Sequence, residues 1–400
     1  MAGSSSISHG SGPSTVVAGS GSAVMYLLRR GCWQRKAKSC CICDTLRRIC
    51  SGRQANICWS AFSAAESPHA VRTAPPYNMC DIPLAMISVI IPTCNAAKTL
   101  TELLAVLARQ TLQPDEVLVV DSSSEDDTVA IARQFGAKVT VIDRQRFDHG
   151  GTRSEMARMA RGELLVFFTQ DAIPATRDAL ARLVGPFAEQ EDIAVTYGRQ
   201  LPGNDATWIA ASLRRFNYPE HSSIRGFDDR VKTGLRTAFV SNSFAAYRKD
   251  ALAESGYFKN GLIFGEDTCT VGRLLARGYR IAYVSEAKVY HSHNYSLSEE
   301  FRRSFDIGVL HAMEAWLLET YGHAEGIGFR FVLQQLRELG RQGRMSLMIE
   351  VLARTVLKYC GYRLGRSFRS IPAHFLPRLS MHSSWWQGNR GREAVASGRR

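Results

Sequence analysis

Four short stretches of this chain bring together side chains that can do chemistry. The apolar run Leu164-Leu165-Val166-Phe167-Phe168 stops abruptly on Thr169-Gln170-Asp171, so an acid sits where a buried strand ends and a ligand crevice is expected. A residue of this type in this place also serves as a helix cap or turn former. His291 and His293 stand at i and i+2 on one face of an extended segment, a spacing that can close a metal or diphosphate site or be purely structural. Glu266 and Asp267 open a helix, where carboxylates also favour the helix dipole. Asp148-His149-Gly150-Gly151-Thr152-Arg153 puts a glycine turn ahead of a helix expected to start near Thr152. Its amino end and Arg153 would face an anion, or simply form a capped surface helix.

The elements that must position these groups alternate in type. Residues 86–92 read as a β-branched strand ended by Pro92, followed by a Thr93-Cys94-Asn95 turn and a helix over 99–110 with Leu100, Leu103, Leu104 and Leu107 on one face. A second strand at 116–121 ends on Asp121-Ser122-Ser123-Ser124, a helix covers 127–135, and a third strand covers 139–142. This alternation predicts an α/β fold with a mostly parallel sheet and a crevice at the strands' carboxyl ends. No GxGxxG follows the first strand, which excludes a dinucleotide site of the usual kind. Further on, 206–216 reads as a helix, 217–236 as a polar candidate lid, 237–248 as a pair of strands, and 278–284 as another strand leading to the histidines.

Charge is unevenly spread. Residues 1–85 hold 9 Lys and Arg against 3 Asp and Glu, residues 86–300 hold 25 against 27, and residues 301–400 hold 16 against 7. The net charge of +13 therefore belongs to the two ends. Six of the ten cysteines, Cys32, Cys40, Cys41, Cys43, Cys50 and Cys58, crowd the beginning. Without zinc-finger spacing they read as reduced thiols of a cytosolic protein. The expected organisation is a low-complexity extension over 1–85, disordered or the product of an upstream start site, then a catalytic domain over 86–300. A basic helical region over 301–380 and a disordered, Gly- and Arg-rich tail over 381–400 follow. The helical region has amphipathic periodicity but no apolar stretch long enough to span a bilayer, so it fits an anionic membrane surface or a hairpin packed on the domain.

The stretches Ile87-Ser88-Val89-Ile90-Ile91-Pro92-Thr93-Cys94-Asn95, Val117 to Ser124, Phe147-Asp148-His149-Gly150-Gly151-Thr152-Arg153 and Thr169-Gln170-Asp171-Ala172 together resemble family 2 glycosyltransferases, most closely the bacterial rhamnosyltransferases. The resemblance implies a GT-A fold with C-terminal amphipathic helices and inverting transfer of a sugar from a nucleoside diphosphate, with dTDP-rhamnose as the expected donor. It implies a saccharide or polyprenyl-diphosphate-linked acceptor in cell-surface polysaccharide synthesis, by an enzyme expected in the cytoplasm, either free or peripheral at the inner face of the plasma membrane. Carried over by position, Pro92, Thr93 and Asn95 would line the nucleoside pocket and Asp121 would bond the base. Arg153 would lie beside the base or diphosphate, and Gln170, His291 and His293 would complete the donor site. Asp171 would reach the diphosphate through Mg²⁺ or Mn²⁺, which neutralises a departing diphosphate without proton transfer. The usual acidic pair at this strand end is Thr169-Gln170-Asp171 here, with one carboxylate. An inverting transfer needs one general base on the acceptor hydroxyl; the resemblance places that role on the Glu266-Asp267 pair, assigned here to Asp267, with Glu266 orienting the acceptor or exchanging roles with it. Two alternatives stand beside this reading: a family 2 enzyme with a UDP-hexose donor, and a non-catalytic basic nucleic-acid-binding protein. The second lacks interleaved aromatics or a binding motif in the folded core, and nucleic acid is not an expected partner.

Overall fold

A computed structural model describes residues 85–322 and 325–396. The part of the expected extension from 1 to 84, with its six clustered cysteines, lies outside the described residues. Nine strands form one sheet: β1 Ile87–Thr93, β2 Glu116–Asp121, β3 Lys138–Val141, β4 Leu164–Phe168, β5 Ile173–Pro174, β6 Ile193–Leu201, β7 Ser223–Arg225, β8 Phe244–Arg248 and β9 Arg280–Tyr290. Their order is β3-β2-β1-β4-β8-β6-β9-β5, with β7 added on β9. β3, β2, β1 and β4 are parallel throughout, β8 runs antiparallel between β4 and β6, and β6 is parallel to β9.

Parallel pairing buries both faces of the sheet, which explains why β1 and β4 are apolar runs instead of alternating patterns. Ile90, Leu165 and Phe167 point into one core, while Val89, Ile91, Val166 and Phe168 point into the other. Each such side chain stabilises the fold by roughly 1.5–3 kcal/mol through burial. Helix α1, Ala97–Leu107, covers the second core with Leu100, Leu103, Leu104 and Leu107, and α2, Thr128–Gln134, lies beside it. Helix α3, His149–Met159, covers the first core with Met156 and Ala157.

Helix α3 begins three residues earlier than the glycine pair suggests. Asp148 caps it by accepting from the Gly151 N–H at 2.5 Å. The glycines lie inside the first turn, where a Cβ on Gly150 would strike the Lys259 carbonyl. Gly150 is needed for close packing of helix on chain, and Gly151 gives room to the Asp148 cap.

Helix α4, Trp208–Asn217, follows β6, and α5, Glu266–Ala276, precedes β9. The segment expected as a lid, 217–236, instead supplies β7, paired antiparallel with β9, and is held by Arg225, which donates to Phe239 O at 2.8 Å and Tyr197 Oη at 2.6 Å. Open strand edge and buried guanidinium outweigh its polar composition. Of the expected strand pair at 237–248, only β8 is a strand.

Four further helices are α6, Leu297–Met313; α7, Glu325–Arg341; α8, Met345–Arg366; and α9, Ser383–Gln387, with α10, Asn389–Ala396, after them. α6 and α8 pack closely because Gly308, Gly361 and Gly365 let backbone meet backbone. Glu300 on α6 takes Arg354 and Lys358 of α8 at 2.9 Å each. The tail over 381–396 is helical where its composition predicts disorder: Trp386 is buried against Phe368 and Phe305. Two aromatic anchors at 385–386 supply the apolar area that the Gly- and Arg-rich stretch lacks. Among the described residues, no helix is long and apolar enough to cross a membrane.

Candidate active site

The carboxyl ends of β1, β2 and β4 open together, and the loops there are tied before any ligand is considered. Asp121 is fully buried. It accepts from Thr93 Oγ1 at 2.9 Å, from the Ser124 N–H at 2.8 Å and from Ser124 Oγ at 2.5 Å. Asn95 holds a left-handed backbone (φ 48°) that asparagine tolerates, and its side-chain oxygen accepts from the Glu125 N–H at 2.8 Å. Gln170 reaches from the end of β4 to the backbone of Cys94, accepting from its N–H at 2.9 Å and donating to its carbonyl at 3.4 Å. Pro92, Thr93, Asn95, Asp121 and Gln170 thus share one rim, with Asp121 bonded inward to its neighbours.

The last residue of that rim faces the histidines. One ligand atom from each of Asp171, His291 and His293 lies within 4.8 Å of the others, and His291 Nε2 is 3.5 Å from Asp171 Oδ1. Which ring nitrogen of His291 carries the proton is decided by Gln200. Arg214, which can only donate, bonds Gln200 Oε1 at 2.6 Å, while Gln200 Nε2 donates to Ser241 Oγ at 3.0 Å. That fixes the amide orientation, so His291 Nδ1, 3.0 Å from the same Oε1, must be the donor. Burial pushes the His291 pKa down to about 4 and that of His293 below the ordinary value, despite Asp171 nearby. Neutral His291 therefore turns the bare Nε2 lone pair towards a carboxylate oxygen. Two facing acceptors repel unless a cation or a donor bridges them, and where the bridge is a cation two imidazoles with one carboxylate suit Mn²⁺ better than Mg²⁺, which prefers oxygen alone.

Helix α5 starts with Glu266 and Asp267 after Gly265, whose φ of 79° sets the turn. Glu266 is buried and paired with Arg153 at 3.3 Å. Burial opposes its charge, but Arg153 and His149 outweigh that and hold its carboxyl below the ordinary range. Asp267 is half-buried, and burial together with the Glu266 charge pushes its pKa up to about 7. Two neighbouring carboxylates are thereby split into a permanent anion and a proton acceptor tuned near neutrality. The structure brings Arg153 to Glu266.

The two halves are joined by residues that spacing did not reveal. Ser241 accepts from Gln200, and the Asn242 N–H donates to Asp267 Oδ2 at 3.3 Å. Asn242 Nδ2 donates to Glu266 Oε1 at 3.2 Å, and its Oδ1 accepts from Tyr247 Oη at 2.7 Å. The one available signal was a polar glutamine at the end of an otherwise buried strand.

A mixed sheet, a candidate cation cluster and an acidic pair split in proton affinity suit an enzyme of group transfer. Residues 88–256 match Glycosyl transferase family 2. The O-antigen chain rhamnosyltransferase RfbN of Salmonella typhimurium is 39% identical over 302 residues, spanning 75% of this chain and 96% of that protein. WbaN of Salmonella anatum, also an O-antigen chain rhamnosyltransferase, is 38% identical over 301 residues, spanning 75% and 95%. A solved mannosyltransferase from Pyrobaculum calidifontis superposes with a TM-score of 0.47 at 17% identity, over 80% of this chain and 89% of its own. The chain belongs to glycosyltransferase family 2: it is a glycosyltransferase with the GT-A fold, and its chemistry is sugar transfer in polysaccharide synthesis.

Proposed function

We propose that this enzyme transfers rhamnose from dTDP-rhamnose, with inversion, to a saccharide or polyprenyl-diphosphate-linked acceptor of a surface polysaccharide of the O-antigen type. The relatives' names support the sugar and the product class. The observation that carries the donor site is the His291 Nε2 lone pair facing Asp171 at 3.5 Å. Asp171, His291 and His293 would hold Mn²⁺, and a cation bound there would supply charge neutralisation for a departing diphosphate. Thr93, Asn95 and Gln170 shape the nucleoside rim. Asp267 takes the proton of the acceptor hydroxyl as its oxygen bonds the anomeric carbon and the bond to the diphosphate breaks on the opposite face. Glu266, kept charged by Arg153, raises the proton affinity of Asp267 and orients the acceptor.

Support for a membrane-surface station comes from α8. Its solvent side is a row of Met345, Ile349, Leu352, Val356 and Tyr359, each 48% exposed or more, within a region of net charge +9. An apolar row among arginines fits an anionic leaflet, where a lipid-linked acceptor is found. Flotation with phosphatidylglycerol vesicles tests this, and loss of the protein from the vesicle layer at low salt removes it.

Calorimetry with dTDP, UDP, dTDP-rhamnose and UDP-glucose, with and without Mn²⁺, tests the donor. Tight, Mn²⁺-dependent dTDP-rhamnose binding that Asp171→Ala weakens is expected. Preference for UDP-glucose overturns the sugar assignment, and EDTA-insensitive binding removes the cation.

A further inference from the structure

We propose that the C-terminal segment 380–396 is a working part of the active site, with Arg390 as the positioning residue that clamps α3, which carries Arg153, to the loop that leads into the Glu266–Asp267 pair. The proposal rests on the general-base reading of Asp267 given above.

Asp148 is the joint. Its side chain is 4% exposed, and its two oxygens serve three elements. Oδ1 accepts from Gly151 at the start of α3, and Oδ2 accepts from the Gly261 N–H at 3.0 Å in the loop that leads to α5. Oδ2 also pairs with Arg390 of α10 at 2.8 Å, and the same guanidinium nitrogen donates to the Phe147 carbonyl at 3.1 Å. Among the described residues, Arg390 is the cation paired with this buried carboxylate. A buried charge that loses its partner is strongly destabilised, so the tail determines whether Asp148 can stay where it holds α3 to the loop.

That junction is tight on both sides. Ser154 Oγ bonds the Phe258 carbonyl at 3.0 Å and accepts from the Phe258 N–H at 3.1 Å, and Gly150 leaves no room at Lys259. From α3 extends Arg153, the partner of Glu266, and from the 258–265 loop extend Glu266 and Asp267 themselves. A second contact from the tail buttresses the same place: the His382 ring stacks on Phe264 at 6.1 Å between centroids and meets His149 edge-on at 5.4 Å. The start of the tail is fixed in turn, since the Met381 N–H donates to Asp306 at 2.9 Å. Displacing α3 relative to the loop would alter the Arg153–Glu266 pair and with it the placement of Asp267, while the donor rim on β1, β2 and β4 is held by other bonds.

The test compares wild type, Arg390→Ala and Arg390→Lys as full chains. Hydrogen–deuterium exchange should rise in 147–153 and 258–267 of Arg390→Ala, and return towards wild type in Arg390→Lys. Release of dTDP from dTDP-rhamnose with water as acceptor should fall roughly ten- to a hundredfold, the usual effect of misplacing a reacting group by about an ångström. Affinity for dTDP with Mn²⁺ should stay within about twofold of wild type. Unchanged exchange in both segments, or loss of dTDP affinity in parallel with turnover, overturns the clamp. The exchange result stands whichever donor sugar is used, so failure of the rhamnose assignment and failure of the clamp are separately visible.

Discussion

Replacing Asp267 by asparagine should make the protein more stable at alkaline pH while stopping its chemistry. The carboxyl shifts from an ordinary 3.8 to about 7, first through burial and then through the neighbouring Glu266 charge. At about 1.4 kcal/mol for each tenfold change in proton affinity, that displacement corresponds to at most roughly 4 kcal/mol. Asp267 is half-buried, and water screens part of the charge. The amide also keeps one acceptor for the Thr268 N–H, 2.7 Å away, but loses the one facing the Asn242 N–H. A net gain of about 1–3 kcal/mol above pH 7 is expected. The sign follows from the raised folded-state value: the group favours folding most below about pH 4, and this contribution is lost as the pH rises through about 7. Asparagine, never charged, undergoes no such loss. Thermal unfolding from pH 4 to pH 9 should show the variant melting about 2–6 °C higher at pH 8, with the difference closing towards pH 4. Wild-type turnover should rise with pH to a plateau above about 7, and the variant should lose roughly a hundredfold or more. A variant with wild-type turnover, or one melting lower at pH 8 than at pH 4 relative to wild type, refutes the reasoning.

Gln200→Leu should lower Mn²⁺ affinity about 10- to 100-fold without touching a proposed ligand, because His291 loses the acceptor that fixes its tautomer; the free-Mn²⁺ paramagnetic resonance signal reads this directly, and equal affinity removes Gln200 from the site. Gly365→Ala should destabilise the packing of α8 on α6 by about 1–3 kcal/mol, since the new methyl would strike the Phe305 carbonyl. An unchanged melting temperature would show that the two helices separate at little cost.

Much of the framework at the carboxyl ends of the strands was legible in the chain. The strands β1, β2 and β4, the leucine face of α1 and the acids at the ends of β2 and β4 follow from local pattern, because an interior parallel strand must be apolar on both faces and must end where solvent begins. Sequence also put the two histidines at the end of an extended segment and the two acids at a helix start, and the resemblance in four short motifs was enough to expect the family. Sequence could not assign the ring tautomer of His291, which depends on Gln200, 91 residues away. Nor could it split Glu266 from Asp267, since that needs Arg153 on one acid and Asn242 across both. The order of the tail is hidden from sequence for the same reason: its composition is that of a disordered chain, and contacts distant in sequence make it structure, among them Trp386 on Phe368 and Arg390 on Asp148, 242 residues earlier. Periodicity reports what a segment must bury, whereas proton affinity and side-chain orientation are set by whichever charges the folded chain brings alongside.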